Sequence, residues 1–245
     1  MEDKALLSTE EASGAEKAEL LIVIPAYNEA ENIERVVNHL TANFPQYDYV
    51  VVNDGSRDET AAICQRNGYN LLNLPVNLGL PGAFQAGLKY ADKYGYQYAV
   101  QLDGDGQHRP EYLESMIKKM EEGYDIVIGS RFVGEKKPFT MRMLGSNLIE
   151  MAIRFTTGVN IKDPTSGMRM FSKRMIREFA SGLNYGPEPD TVSYLIRQGA
   201  RVAEVPVIMD ERILGVSYLT PVNAMRYMLK MLISILLIQN FRKRR

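Results

Sequence analysis

The stretch Asp103-Gly104-Asp105-Gly106-Gln107-His108 has the residue types and spacing to do chemistry. In extended backbone, positions i and i+2 share a face, so both carboxylates can reach one ligand. The flanking glycines let backbone and ligand approach closely. Hard oxygen donors suit Mg²⁺ or Mn²⁺, and Mg²⁺ takes few protein ligands while keeping substrate phosphates in its shell. The plain alternative is a solvated acidic turn, since Asp and Gly are common turn formers. The apolar run Tyr98–Leu102 directly before the pair decides for a ligand-facing strand end. His108 is read as a supporting or packing histidine, with no metal role.

Arg131, at the end of a later apolar run, could face a phosphate with its planar fork. Arg142 and Ser146 are four residues apart and fall on one helix face. Glu188-Pro189-Asp190 supplies the one plausible general base outside these groups, although acids at a helix start also simply complement the helix dipole. The turn after the first apolar run reads Pro25-Ala26-Tyr27-Asn28-Glu29, with no glycine, which excludes a dinucleotide fingerprint. A Gly-x-x-x-x-Gly-Lys-Ser/Thr phosphate loop is also absent.

These residues need a scaffold, and the hydrophobic pattern specifies one. Leu20–Ile24 is a continuous apolar run, and similar runs follow at Tyr49–Val52, Tyr69–Leu74, Tyr98–Leu102 and Asp125–Ile128. Amphipathic stretches at Ala30–Thr41, Glu59–Asn67, Pro81–Lys93 and Pro110–Glu122 alternate with them. The alternation predicts an α/β domain with a mostly parallel sheet covered by helices on both sides. Ligand then sits beyond the C-terminal strand ends, where Tyr27-Asn28-Glu29, Asn53-Asp54-Gly55-Ser56 and Asp103-Gly104-Asp105 fall. After Arg131 the pattern is less regular, with helices over Phe139–Phe155, Lys173–Ala180 and Asp190–Gln198 and strands near Met168–Phe171 and Arg201–Val207. With 245 residues, 45% of them apolar, and no Ser/Gly-rich linker, one domain spans 19–219.

The 29 basic and 30 acidic residues leave a net charge of −1 and no nucleic-acid signature. The single Cys64 fits a reducing compartment. Residues 1–18 read as a mobile acidic lead-in without the flanks of a signal peptide. Residues 220–245 carry Arg226, Lys230 and Arg242-Lys243-Arg244-Arg245 with no acid. Met231–Phe241 is uncharged but far short of the roughly twenty residues a membrane span needs. Asn223, Arg226, Lys230 and Ser234 form a narrow polar stripe, so the segment is expected to lie in a membrane surface as an amphipathic helix with a basic anchor. A small integral membrane protein is an alternative cover for its apolar face.

Ile24-Pro25-Ala26-Tyr27-Asn28-Glu29, Asn53-Asp54-Gly55-Ser56, Asn77-x-Gly79 and Asp103-x-Asp105-x-Gln107-His108 occur in the order of family 2 glycosyltransferases. Gly129-Ser130-Arg131, Asp163-Pro164-Thr165-Ser166-Gly167-x-Arg169 and Glu204-Val205-Pro206-Val207 extend the resemblance to the dolichyl-phosphate mannose synthase and bacterial polyprenyl-phosphate branch, over about residues 20–218. The resemblance implies a GT-A fold, a nucleotide-sugar donor, Mg²⁺ or Mn²⁺, and transfer with inversion to a polyprenyl phosphate on the cytoplasmic face of a membrane. It implies donor contacts from Pro25, Tyr27, Glu29, Asp54 and Arg212, and a metal and diphosphate site at Asp103, Asp105 and Gln107. Arg131, Arg142 and Ser146 would hold the acceptor phosphate, with Asp105 and Arg131 central to catalysis. Tyr218 stands where the synthases usually carry a lysine, so the resemblance does not carry a GDP-linked mannosyl donor over. Tyr-Gly-Pro-Glu-Pro-Asp at 185–190 resembles bacterial members that rely on a separate small membrane protein, some of which use UDP-sugars, and this favours a UDP-sugar over GDP-mannose. Two further readings stand beside this one: a saccharide-extending transferase with Asp190 as base, and a catalytically idle adaptor docked on membrane.

Overall fold

The computed structural model describes residues 19–135, 137–138, 140–181, 186, 188–210 and 221–241. The lead-in over 1–18, the loop holding Arg212 and Tyr218, and the basic tail 242–245 lie outside the described residues.

The expected strand–helix alternation forms one seven-stranded sheet. Its strands are β1 (Leu20–Ala26), β2 (Asp48–Asn53), β3 (Leu71–Asn73), β4 (Tyr98–Gln101), β5 (Ile126–Ser130), β6 (Arg169–Ser172) and β7 (Val202–Pro206), in spatial order β3-β2-β1-β4-β6-β5-β7. β1 is buried along its whole length, as its unbroken apolar run requires. The helices are α1 (Ile33–Asn43), α2 (Thr60–Arg66), α3 (Gly79–Tyr94), α4 (Leu113–Glu121), α5 (Met141–Thr157), α6 (Lys173–Ala180), α7 (Pro189–Arg197) and α8 (Pro221–Leu236). Alternate residues of β1 serve two cores. Leu21 and Val23 pack with Phe84, Phe171 and Phe179 on one face, while Leu20, Ile22 and Ile24 pack with Ile33, Val37 and Leu113 on the other.

One strand departs from the parallel pattern, for a reason that matters to the site. β6 runs antiparallel to both β4 and β5 and separates them. Its N-terminal end therefore lies at the edge where β1, β2, β4, β5 and β7 present their C-terminal ends. Residues 163–168, which lead into β6, arrive at that same edge.

α8 packs on α5 and α7. A Cβ at Gly145 of α5 would lie 2.8 Å from Cγ of Met228, so glycine lets the Met228 side chain pack directly on the α5 backbone. The polar stripe expected on α8 is only partly a solvent face. Asn223, Arg226 and Lys230 are exposed, but Ser234 is buried, because its hydroxyl donates to Asp190 Oδ2 at 2.6 Å.

Candidate functional site

The turns after β1 and β2 are built as a pair. Asn28, at φ 56°, places its backbone N–H 3.0 Å from Ser56 Oγ, and its side-chain oxygen accepts from Arg57 N at 2.9 Å. Glu29 N donates to Thr60 Oγ1 and Ala30 N to Asp58 Oδ2. These bonds hold Tyr27 and Glu29, both half-buried, beside Asp54. Asp54 is buried and accepts from Leu78 N at 2.7 Å. Pro25, Tyr27, Glu29 and Asp54 thus come together at neighbouring strand ends, Pro25 lying opposite Val52 in the register.

Next to them, β4 ends in the carboxylate pair. Asp103 Oδ1 accepts from Gln101 Nε2 at 2.7 Å, and its backbone N–H donates to His108 Nδ1 at 3.0 Å. That bond puts the imidazole proton on Nε2, which lies 3.7 Å from Asp103 Oδ2. The buried His108 orients Asp103. Asp105 Oδ1 accepts from Gln107 N at 3.0 Å, and Arg35 Nη2 holds the Asp105 carbonyl at 3.0 Å. Gln107 Nε2 donates to the Asp210 carbonyl, leaving its side-chain oxygen as an acceptor. Among the described residues no group of three or more His, Cys, Asp or Glu side chains gathers to form a closed metal cage. Two carboxylates and a carboxamide oxygen fit Mg²⁺ or Mn²⁺, which complete their shells with water and substrate phosphate.

Across the same edge, Arg131 is held side-on by Asp163. Nε donates to Oδ2 at 2.7 Å, Nη2 to Oδ1 at 2.8 Å, and the backbone N–H to Oδ2 at 3.1 Å. The fork expected to face a phosphate thus has one edge engaged within the protein. Nη1 and the outer hydrogen of Nη2 form the other edge. The guanidinium also lies 5.3 Å from the Phe132 ring centroid. Thr165 Oγ1 bridges Asp163 Oδ1 at 3.4 Å and Ser146 Oγ at 3.5 Å. Ser146 is fully buried, so it meets the corner through Thr165. Arg142 lies in the first turn of α5, its side chain outside what is described. Gly167 joins the two halves: a Cβ there would sit 3.4 Å from Asp103 Oδ2 and 3.2 Å from His108 Cε1.

Asp190 is placed elsewhere. Its Oδ1 accepts from Thr191 N at 2.8 Å, and its Oδ2 takes Ser234 at 2.6 Å and Gln239 at 3.3 Å. Tyr227 donates to Glu188 Oε2, and burial followed by this carboxylate pushes the tyrosine hydroxyl up from its usual range. Both acids of the Glu188-Pro189-Asp190 segment therefore anchor α8. Sequence reasoning missed these anchors, and it missed the Arg109–Asp210 ion pair beside Gln107, where the guanidinium holds the Asp210 carboxyl below its usual range. It also gave Asp163 and Glu204 no role. Both lie in quoted motifs, and only their pairing partners were invisible.

Residues 21–179 match the family described as glycosyl transferase family 2. The polyprenol monophosphomannose synthase of Mycolicibacterium smegmatis is 32% identical over 223 residues, covering 86% of this chain and 84% of that one. The undecaprenyl-phosphate mannosyltransferase of Micrococcus luteus is 31% identical over 210 residues, 81% of this chain and 86% of its own. The UDP-N-acetylglucosamine–dolichyl-phosphate N-acetylglucosaminyltransferase of Methanococcus voltae is 30% identical over 213 residues, 77% and 84% of the two chains. Among solved structures, glucosyl-3-phosphoglycerate synthase of Mycobacterium tuberculosis with Mn²⁺, UDP and phosphoglyceric acid superimposes with a TM-score of 0.64 at 21% identity, covering 93% of this chain and 80% of that one. It shares the fold.

Proposed function

The chain belongs to glycosyl transferase family 2, and we propose that it moves a sugar, with inversion, from a nucleotide-sugar to a polyprenyl phosphate at a membrane surface. The observation that carries this reading is the shared sheet edge. There Gly167, four residues after Asp163, lies against Asp103, which supports reading the carboxylate pair and Arg131 as parts of one site.

Asp103, Asp105 and Gln107 would hold Mg²⁺ or Mn²⁺, which when bound neutralises the leaving diphosphate as a Lewis acid. Tyr27, Glu29 and Asp54 receive the nucleoside: the ring offers a stacking face and the carboxylates accept from ribose or base. Arg131 presents its outer edge to the acceptor phosphate. A phosphate oxygen attacks the anomeric carbon as the bond from that carbon to the diphosphate oxygen breaks. The acceptor is already ionised near pH 7, so no protein base is required, and positioning dominates. That agrees with an Asp190 whose two oxygens are engaged with α7 and α8. For the donor we propose a UDP-sugar, on the 185–190 resemblance and the N-acetylglucosaminyl relative, set against the two mannosyl relatives.

α5 and α8 support the membrane part of this reading. No helix among the described residues is long and apolar enough to span a bilayer. Yet α5 exposes Leu148, Met151 and Phe155, and α8 exposes Met225, Leu229 and Ile233 beside Arg226 and Lys230. Basic residues near an anionic surface contribute about 1 kcal/mol each. Full-length protein should therefore co-sediment with anionic vesicles in a salt-dependent way, and removal of 242–245 should weaken it. Salt-independent binding, or none to bare vesicles, would assign the face to a protein partner. The direct test of function is purified protein with Mn²⁺, a panel of nucleotide-sugars and undecaprenyl phosphate, read by product mass. A glycosylated lipid phosphate from a UDP-sugar is expected. Transfer only to saccharides would overturn the acceptor, and transfer only from GDP-mannose the donor.

A further inference from the structure

Behind Asp163 stands a second carboxylate. Glu204 lies on β7 opposite Ile128 of β5, two residues before the β5 end. A strand glutamate on a half-exposed face would ordinarily point its carboxylate into water. Here both oxygens instead capture successive backbone N–H groups of a loop about forty residues earlier: Oε2 takes Lys162 N at 2.7 Å and Oε1 takes Asp163 N at 2.8 Å. Among the described residues no strand ladder reaches residues 162 and 163, so Glu204 is what ties these two N–H groups to the sheet. The loop is closed further along by Ser166 Oγ on the Gly129 carbonyl at 2.5 Å. Between these two ties sits the Asp163 side chain, fully buried and side-on to Arg131.

We infer that Glu204 is a positioning residue for the acceptor phosphate, acting through the Lys162–Asp163 backbone and the Asp163 carboxylate to aim the outer edge of Arg131. The inference rests on the reading of Arg131 as the acceptor-phosphate group. Asp163 already neutralises much of the Arg131 charge, so what this arginine offers a phosphate is chiefly direction: two N–H groups in a fixed plane. A fixed plane demands a fixed carboxylate behind it, and a fixed carboxylate demands a fixed loop. Glu204 supplies the last of these with charge-assisted bonds.

Two-substrate kinetics on the full chain test this. Glu204→Gln keeps the length but turns an NH₂ toward one of the two N–H groups; Glu204→Asp keeps the charge but cannot reach both. Each should raise the acceptor KM about tenfold, the scale of a modest misplacement. The donor KM and Mn²⁺-dependent donor binding should hold. On an Arg131→Ala background, Glu204→Gln should add nothing to the acceptor KM, because both act through one group. Additive effects, or equal rises in donor and acceptor KM, would reduce Glu204 to a structural residue and overturn the inference. If Glu204→Gln fails to fold, Glu204→Asp carries the same cycle. An Arg131→Ala protein with an unchanged acceptor KM would instead overturn the acceptor reading itself, leaving the two failures distinguishable.

Discussion

The proposed donor and acceptor halves of the site are built by different means. Around β1, β2 and β4 the turns are tied mainly by single bonds from backbone N–H groups to hydroxyl, amide and carboxylate oxygens, such as Asn28 to Ser56, Glu29 to Thr60 and Leu78 to Asp54. Around β5, β6 and β7 the ties are ionic and serial: Glu204 to the 162–163 backbone, then Asp163 to Arg131. The donor half is anionic and fits a ligand that arrives with its own cation. On the proposed reading the acceptor half grips an anion directly, and a preorganised guanidinium suits that task.

The largest effect that sharpens this contrast falls on the carboxylate pair. Asp105→Ala should lower turnover by at least about 100-fold, the scale of losing a central electrostatic group. It should also abolish the thermal shift that donor gives in Mn²⁺, with the fold retained by circular dichroism. Gly167→Ala strikes the seam between the halves. Its Cβ would press on His108 Cε1 at 3.2 Å and lie in contact with the Asp103 carboxylate at 3.4 Å. A loss of about tenfold in kcat/KM toward both substrates is expected; an effect on one substrate alone would separate the halves more than the geometry allows. The smallest effect belongs to Asp190→Asn. Asparagine keeps an acceptor for Ser234, so turnover should change by less than about threefold while thermal stability falls modestly. Loss of turnover with donor binding intact would restore Asp190 as a base.

The same contrast governs what was legible in the sequence. The donor half lies at the ends of strands whose apolar runs announce them, and its residues sit within a few positions of those ends. Strand periodicity alone therefore places Tyr27, Asp54 and Asp103 on one edge. The acceptor half depends on β6 entering antiparallel between β4 and β5, and a four-residue strand carries no signal of direction or neighbour. Arg131, Asp163 and Glu204 could each be singled out, but their pairing follows from that topology. The polar stripe on α8 shows the same limit. Helical periodicity put Ser234 with Arg226 and Lys230, while only packing against α7 shows that its hydroxyl is turned inward onto Asp190.

The division of labour between Arg131 and the carboxylate pair is tested most directly by steady-state kinetics of Arg131→Ala and Arg131→Lys with each substrate varied in turn. Arg131→Ala should cut kcat/KM for the lipid phosphate by about 100-fold while the donor KM stays near that of the unmodified protein. Arg131→Lys should recover little of the loss, because an ammonium cannot pair side-on with Asp163 and present a second planar edge. A donor KM that rises as steeply as the acceptor KM would contradict the account and move Arg131 to the diphosphate.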